Sequence, residues 1–141
     1  MHRLLMLVML SCGWMTACTG GETPSSSSPA SAAEWTKVGE TETYIYYADY
    51  GSIRKADETV TMSDLFDYKV VQTEGGIPPL SKITVREYDC QNRKSQPVKT
   101  TWYADRMGSG AAGRSTGAQG QLATPASGTA TAALMTTACG R

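Results

Sequence analysis

Thr59-Val60-Thr61-Met62-Ser63-Asp64-Leu65-Phe66-Asp67-Tyr68-Lys69-Val70-Val71 is the stretch on which the fold turns. Its even positions hold Val60, Met62, Phe66, Tyr68 and Val70, while the odd ones are mostly hydroxyl or charged residues. Successive side chains of a strand point to opposite faces, so this alternation predicts one long strand with its even face inward. Asp64 stands on that even face. An unpaired buried charge is too costly to keep, so either a bulge turns Asp64 outward or it is buried with a hydrogen-bonding partner.

Toward the N-terminus, Trp35-Thr36-Lys37-Val38 predicts a short strand stopped by Gly39. Thr43-Tyr44-Ile45-Tyr46-Tyr47 predicts a second, rich in residues that suit a pleated, half-buried surface. Asp49-Tyr50-Gly51-Ser52 and Lys55-Ala56-Asp57-Glu58 read as turns. Toward the C-terminus, Gly75-Gly76-Ile77-Pro78-Pro79 forbids regular structure and makes a wide connection. Ser81 to Cys90 resumes the strand pattern with Ile83 and Val85 on one face but Tyr88 and Cys90 on the other. That change of phase implies a bulge near Arg86-Glu87 or burial on both sides, as when a helix covers the far face. The next strand holds Val98, Thr100 and Trp102 in one row, and Met107-Gly108-Ser109-Gly110 predicts a tight bend where backbone meets backbone. Arg114 to Gln121 reads as a mobile loop. Beyond it a helix capped at Thr124 or Ser127 is expected to run to about Cys139 and stop at Gly140, with Ala126, Ala130, Leu134 and Ala138 on one face.

The N-terminus carries a different message. Met1-His2-Arg3 is basic, Leu4 to Leu10 is apolar and Ser11 to Ala17 ends in small residues, the three-part layout of an export signal. The apolar run is far below the ~20 residues of a spanning helix. Met15-Thr16-Ala17-Cys18 has the small residues that a lipoprotein peptidase requires before an acylated cysteine, so residues 1–17 are expected to be removed and Cys18 to carry lipid. The alternative is a soluble secretory signal cut after one of the alanines in residues 30–33; Cys12 is a poorer lipid acceptor because Leu10 sits where a small residue is wanted. Residues 18–33, with Gly20-Gly21 and the serine run Ser25 to Ser28 between Pro24 and Pro29, cannot pack a core and suit a flexible tether. The domain proper then occupies residues 34–141. Cys90 and Cys139 remain, and in an oxidising compartment they are expected to pair, the alternative being two free buried thiols. A closed loop of about 50 residues is worth about 4 kcal/mol in the chain-entropy model.

Loss of residues 1–17 removes Arg3 and no acid, leaving 12 basic against 13 acidic residues. That balance argues against nucleic acid as a partner. The signs are unevenly spread, with eight acids against Lys37, Arg54 and Lys55 from Glu34 to Asp67, and eight bases against four acids from Lys69 to Arg114. Such asymmetry suits either a solvated surface or a polar contact face. The one histidine, His2, falls in the signal, which removes histidine-dependent triads and most zinc sites from consideration. Asp64 with Asp67, or Glu87 with Asp89, are the remaining acid pairs, and acids scattered along strands read as surface groups. No catalytic residue, metal site or cofactor is therefore expected. Seven tyrosines suit either the cover of a thin sheet or a binding interface.

The order of these pieces carries a resemblance. Trp35-Thr36-Lys37-Val38, Tyr44-Ile45-Tyr46, Ser52-Ile53-Arg54, Val60-Thr61-Met62, Phe66-Asp67-Tyr68-Lys69, Glu87-Tyr88-Asp89-Cys90, Met107-Gly108-Ser109-Gly110 and a closing Cys139 follow one another as in the surface-adhesin protein E-like family. The sequence departs from that pattern at Ser63 and at Gln121-Leu122-Ala123, where tryptophans are usual. The resemblance implies an α+β, mostly β fold: an antiparallel sheet of about five to six strands packed by one C-terminal helix, with one disulfide from Cys90 to Cys139. It also implies an outer-membrane lipoprotein that binds extracellular matrix or serum proteins of a host, without catalysis, and forms a homodimer. The candidate binding surface is the basic segment holding Arg86, Arg93, Lys94, Lys99 and Arg106. The runner-up is a structural or assembly role within the bacterial envelope, with no host ligand.

Overall fold

The computed structural model describes residues 32–71 and 78–140. The expected signal, Cys18 and most of the tether lie outside them, as does Gly75-Gly76-Ile77. Six strands form one antiparallel sheet in simple sequence order: β1 (Trp35–Glu40), β2 (Tyr44–Ala56), β3 (Thr59–Tyr68), β4 (Ser81–Asp89), β5 (Lys94–Tyr103) and β6 (Ala112–Thr116). One helix, α1 (Ala130–Cys139), follows.

β3 pairs with β2 and β4 on its two sides and is the centre of the sheet. It ends at Tyr68, not at Val71: Val70 and Val71 are 48% and 55% exposed and lie beyond the strand's last residue. Ala48, Val60, Met62, Phe66 and Tyr88 face α1, which seals them with Ala130, Leu134, Met135 and Ala138. Each fully buried large side chain of this cluster contributes about 1.5–3 kcal/mol. α1 begins later than expected, because Thr129 and not Thr124 or Ser127 is its cap: Thr129 Oγ1 accepts the Ala132 N–H at 3.3 Å. Ala126 therefore lies outside the helix and is exposed. Gly140 stops it at φ 76°, a conformation that costs glycine nothing. Ten residues with three threonines make a marginal helix alone, and the Cys90–Cys139 disulfide fastens its last residue to the chain just past β4, across 5.6 Å between Cα atoms.

Three local readings are corrected. β1 runs through Gly39 to Glu40, with an irregularity between Lys37 and Gly39, and a Cβ at Gly39 would collide with the Tyr46 ring. Asp49 to Ser52 does not end a strand but forms a bulge inside β2, between the pairs Asp49–Ser63 and Arg54–Thr61. The local bonds of a turn are all there: Gly51 N–H donates to Asp49 Oδ1 at 2.9 Å and Ser52 Oγ donates to the Asp49 carbonyl at 2.6 Å. Ser52 Oγ also accepts the Ser63 N–H at 2.8 Å, which keeps the bulge tied to β3. Arg114 to Thr116 belong to the edge strand β6 and not to a loop, and Thr101 and Ser115 hydroxyls meet at 3.1 Å across the β5–β6 pair.

Both faces of the sheet are covered in part, which resolves the phase change in β4. Its register with β3 is unbroken, so Tyr88 lies under α1 while Ile83 faces the other side; the bulge falls opposite, at Val98 of β5. On that far side the Met-Gly-Ser-Gly bend forms an arch. Met107 and Gly108 adopt φ 55° and 68°, and a Cβ on Gly108 would meet the Ile83 and Leu65 side chains. Gly108 N–H donates to Ser81 Oγ at 2.8 Å, Ser81 Oγ donates to the Asp105 carbonyl at 2.6 Å, and Met107 N–H donates to Asp67 Oδ1 at 2.9 Å.

Candidate functional site

The residues of the expected basic surface do not form one patch. Arg86 points to the helix-bearing face, 12% exposed, and its Nε lies 3.1 Å from Asp64 Oδ2. Arg93 stands in the β4–β5 turn at φ 52°, with Lys94 opening β5 beside it. Lys99 pairs with Val85 on the face away from α1. Arg106 belongs to the arch, where it bonds Asp67 Oδ2 at 3.2 Å and the Tyr68 carbonyl at 2.8 Å. Arg93, Lys94 and Lys99 are exposed and form no salt bridge among the described residues, although Lys94, paired with Asp89 across the strands, acts on that carboxylate's charge.

The two acids between them are not surface groups. Asp64 and Asp67 are both buried, on opposite faces of β3, so the sheet separates them and they cannot work on one substrate. Asp64 has no exposed surface, and burial pushes its pKa up to about 6 despite the opposing pull of Arg86 and then Lys82. Its Oδ1 and the Tyr88 hydroxyl are buried without a hydrogen-bond partner. Arg86 lies near that phenol too, without bonding geometry, and burial raises the Tyr88 pKa. Of the two expected ways to accommodate Asp64, pairing has won over rotation outward. Among the described residues no group of three or more His, Cys, Asp or Glu is placed to hold a metal ion, and no helix is long and apolar enough to cross a membrane.

A second set of cations emerges only from the register. Tyr46 pairs with Phe66, Phe66 with Lys82 and Lys82 with Trp102, so these four stand in one row across β2 to β5 on the helix-bearing face. Lys82 Nζ lies 4.7 Å from the Phe66 ring centroid, and the Arg114 guanidinium of β6 extends the row 4.2 Å from the Trp102 centroid. Burial lowers the Lys82 pKa. Tyr44 packs on Phe66 at 4.8 Å. Cation–π contacts of this kind hold a charge in place without neutralising it. Sequence reading missed Lys82 and Arg114, because they are 32 residues apart and meet only through two strand pairings.

The fold defines an α+β class of domain: an open antiparallel meander with one disulfide-held helix on one face and an arch on the other. Within that class the chain belongs to the surface-adhesin protein E family, whose model matches residues 35–140. Among solved structures it is similar to crystal form II of Haemophilus influenzae protein E, with TM-score 0.56 and 16% identity over 74% of this chain and 95% of that one. A further structure of Haemophilus influenzae protein E matches with TM-score 0.53 and 18% identity over 74% and 92% of the two chains. At such identities the likeness is one of fold. No curated protein matches the chain.

Proposed function

We propose that the chain is an exported lipoprotein, cleaved after Ala17 and acylated on Cys18, whose residues 18–33 tether a non-catalytic protein-binding domain, residues 34–141, to the outer membrane. Its role is adhesion, with extracellular matrix or serum proteins of a host as partner. The observation that carries this reading is the family match, which takes in the folded domain from Trp35 to Gly140. The export signal, the Met15-Thr16-Ala17-Cys18 motif and the serine-rich tether supply the means of standing clear of a membrane. Acylation at Cys18 is tested by mass spectrometry of the mature N-terminus; an unmodified end within residues 30–34 overturns the anchor. Adhesion is tested on plates coated with matrix and serum proteins, vitronectin and laminin among them. Saturable, salt-sensitive binding is expected, and its absence across the panel sinks the host partner. Protease treatment of intact cells then separates adhesion from an assembly role inside the envelope: a surface adhesin is digested, whereas a domain facing the periplasm is protected.

A further inference from the structure

β6 is the edge of the sheet, and among the described residues no strand pairs with its outer side. Its residues are mostly exposed. An uncovered edge is a row of unused backbone donors and acceptors, and it accepts an extended chain as a further strand unless something prevents it. The opposite edge, β1, is flanked by charges of both signs: Lys37 and Glu40 lie 3.4 Å apart, and Lys69 reaches Glu40 at 3.0 Å. β6 is different. After Asp105 the sequence contains no acidic residue, and from Ser115 to Gly140 it contains no charge at all. Arg114 is the one charge on β6; the irregularity opposite Trp102 places it over the indole, where no carboxylate of the described residues forms an ion pair with it. Lys82 stands two strands inboard, about 10 Å at ordinary strand spacing; it feels the charge of Asp64 but forms no ion pair among the described residues. On this face Asp64 is matched by Arg86, so Lys82 and Arg114 leave it positive.

We propose that the β6 edge takes up an extended acidic segment of a protein partner, its main chain pairing with Ala112–Thr116 and a carboxylate drawing Arg114 off Trp102. Charge-assisted bonds to a guanidinium are about twice as strong as neutral ones, and Lys82 adds its field at longer range. The inference deepens the protein-binding reading by naming the class of segment that is bound, and rests on that reading for its biological setting only. The competing role for Arg114 is that of a charge that keeps two β6 edges from pairing with each other.

The test is an NMR titration of the full-length protein in detergent with an acetylated, amidated Val-Glu-Val-Glu-Val-Glu peptide, its Val-Gln counterpart and a heparin oligosaccharide. The expected result is a set of amide shifts centred on Ala112–Thr116 with a shift of the Trp102 indole, and binding of the Gln peptide about tenfold weaker. Arg114→Gln is expected to abolish that difference, and Lys37→Gln, on the far edge, to leave it. Equal affinity for the two peptides, shifts centred on β1, or tighter binding of the oligosaccharide at the same residues would overturn the proposal. So would an Arg114→Gln protein that self-associates while binding the acidic peptide as before. Failure of the host-protein panel alone leaves this titration unaffected, and the two readings therefore fail separately.

Discussion

Asp64 stands in the middle of β3 with one oxygen on Arg86 and the other on nothing, and its surroundings make its charge expensive. Its folded pKa of about 6 lies above the ordinary 3.8, so the folded protein binds this proton more tightly than the unfolded chain does. The stability so gained is fully present below pH 3.8 and is lost as pH rises through about 6. Urea midpoints measured from pH 4 to pH 7 should therefore fall more steeply for the wild type than for Asp64→Asn; parallel curves would show that Asp64 is not the group responsible. The comparison with the variant is needed because Glu40, bonded to Lys69 and Lys37, and Asp89, bonded to Asn92, are held low and act in the opposite sense. Arg86→Leu removes the hydrogen-bonding partner that Asp64 has among the described residues and leaves it only the more distant charge of Lys82. Breaking a buried pair from one side costs about 3–5 kcal/mol, and the loss should be largest at pH 7 and shrink at pH 4, where the stranded carboxyl is protonated. A loss of the same size at both pH values would make Arg86 a packing residue and nothing more. None of this was legible in Thr59–Val71 beyond the statement that Asp64 is either rotated outward or paired, since the partner lies 22 residues away on a strand whose register the pattern does not set.

At the scale of elements, the strands were the readable part, because alternation is local and each strand pairs with its neighbour in sequence. The errors fell where a local signal was overruled by a distant bond. Asp49 to Ser52 has turn chemistry and makes the turn's bonds, yet Ser52 also bonds Ser63 and the chain stays in the sheet. Arg114 to Thr116 look like a loop in isolation and become a strand because β5 offers an edge. The two covers of the sheet depend on single devices. Reduction of Cys90–Cys139 should lower the unfolding free energy by about 2–4 kcal/mol. Hydrogen exchange should then show amides of α1 losing protection ahead of those of β3 and β4; uniform loss would mean that helix and sheet form one unit. Gly108→Ala strains both the backbone and the contact with Ile83 and Leu65, whereas Gly120→Ala, at φ 82° with nothing near it, strains the backbone alone. The expected costs are about 2–3 kcal/mol for the first and about 1 kcal/mol for the second, measured by urea denaturation. Equal costs would show that the arch does not press on the sheet.

The described domain is a single sheet whose core lies where the helix crosses it. α1 covers Ala48, Val60, Met62, Phe66 and Tyr88, contributed by β2, β3 and β4, so these three strands share one apolar patch, with Val38, Tyr44, Tyr46 and Ile53 packed around it. The two ends of the chain should therefore answer differently to removal. A chain starting at Glu34 keeps every strand pairing, the disulfide and the helix, and its melting temperature should stay within about 2 °C of the full-length value, since a shift of that size in a domain of this length corresponds to less than about 1 kcal/mol. A chain ending at Gly128 keeps the sheet but loses the helix and leaves Cys90 without its partner. Its uncovered patch adds to the open β6 edge an apolar surface of a kind that monomeric soluble proteins seldom expose, and the expected outcome is aggregation or binding of a hydrophobic dye at native pH. If the chain ending at Gly128 instead melted cooperatively as a soluble monomer, the sheet would hold its shape without a core, and the disulfide-held helix would have to be counted as an addition to a fold that is complete before it.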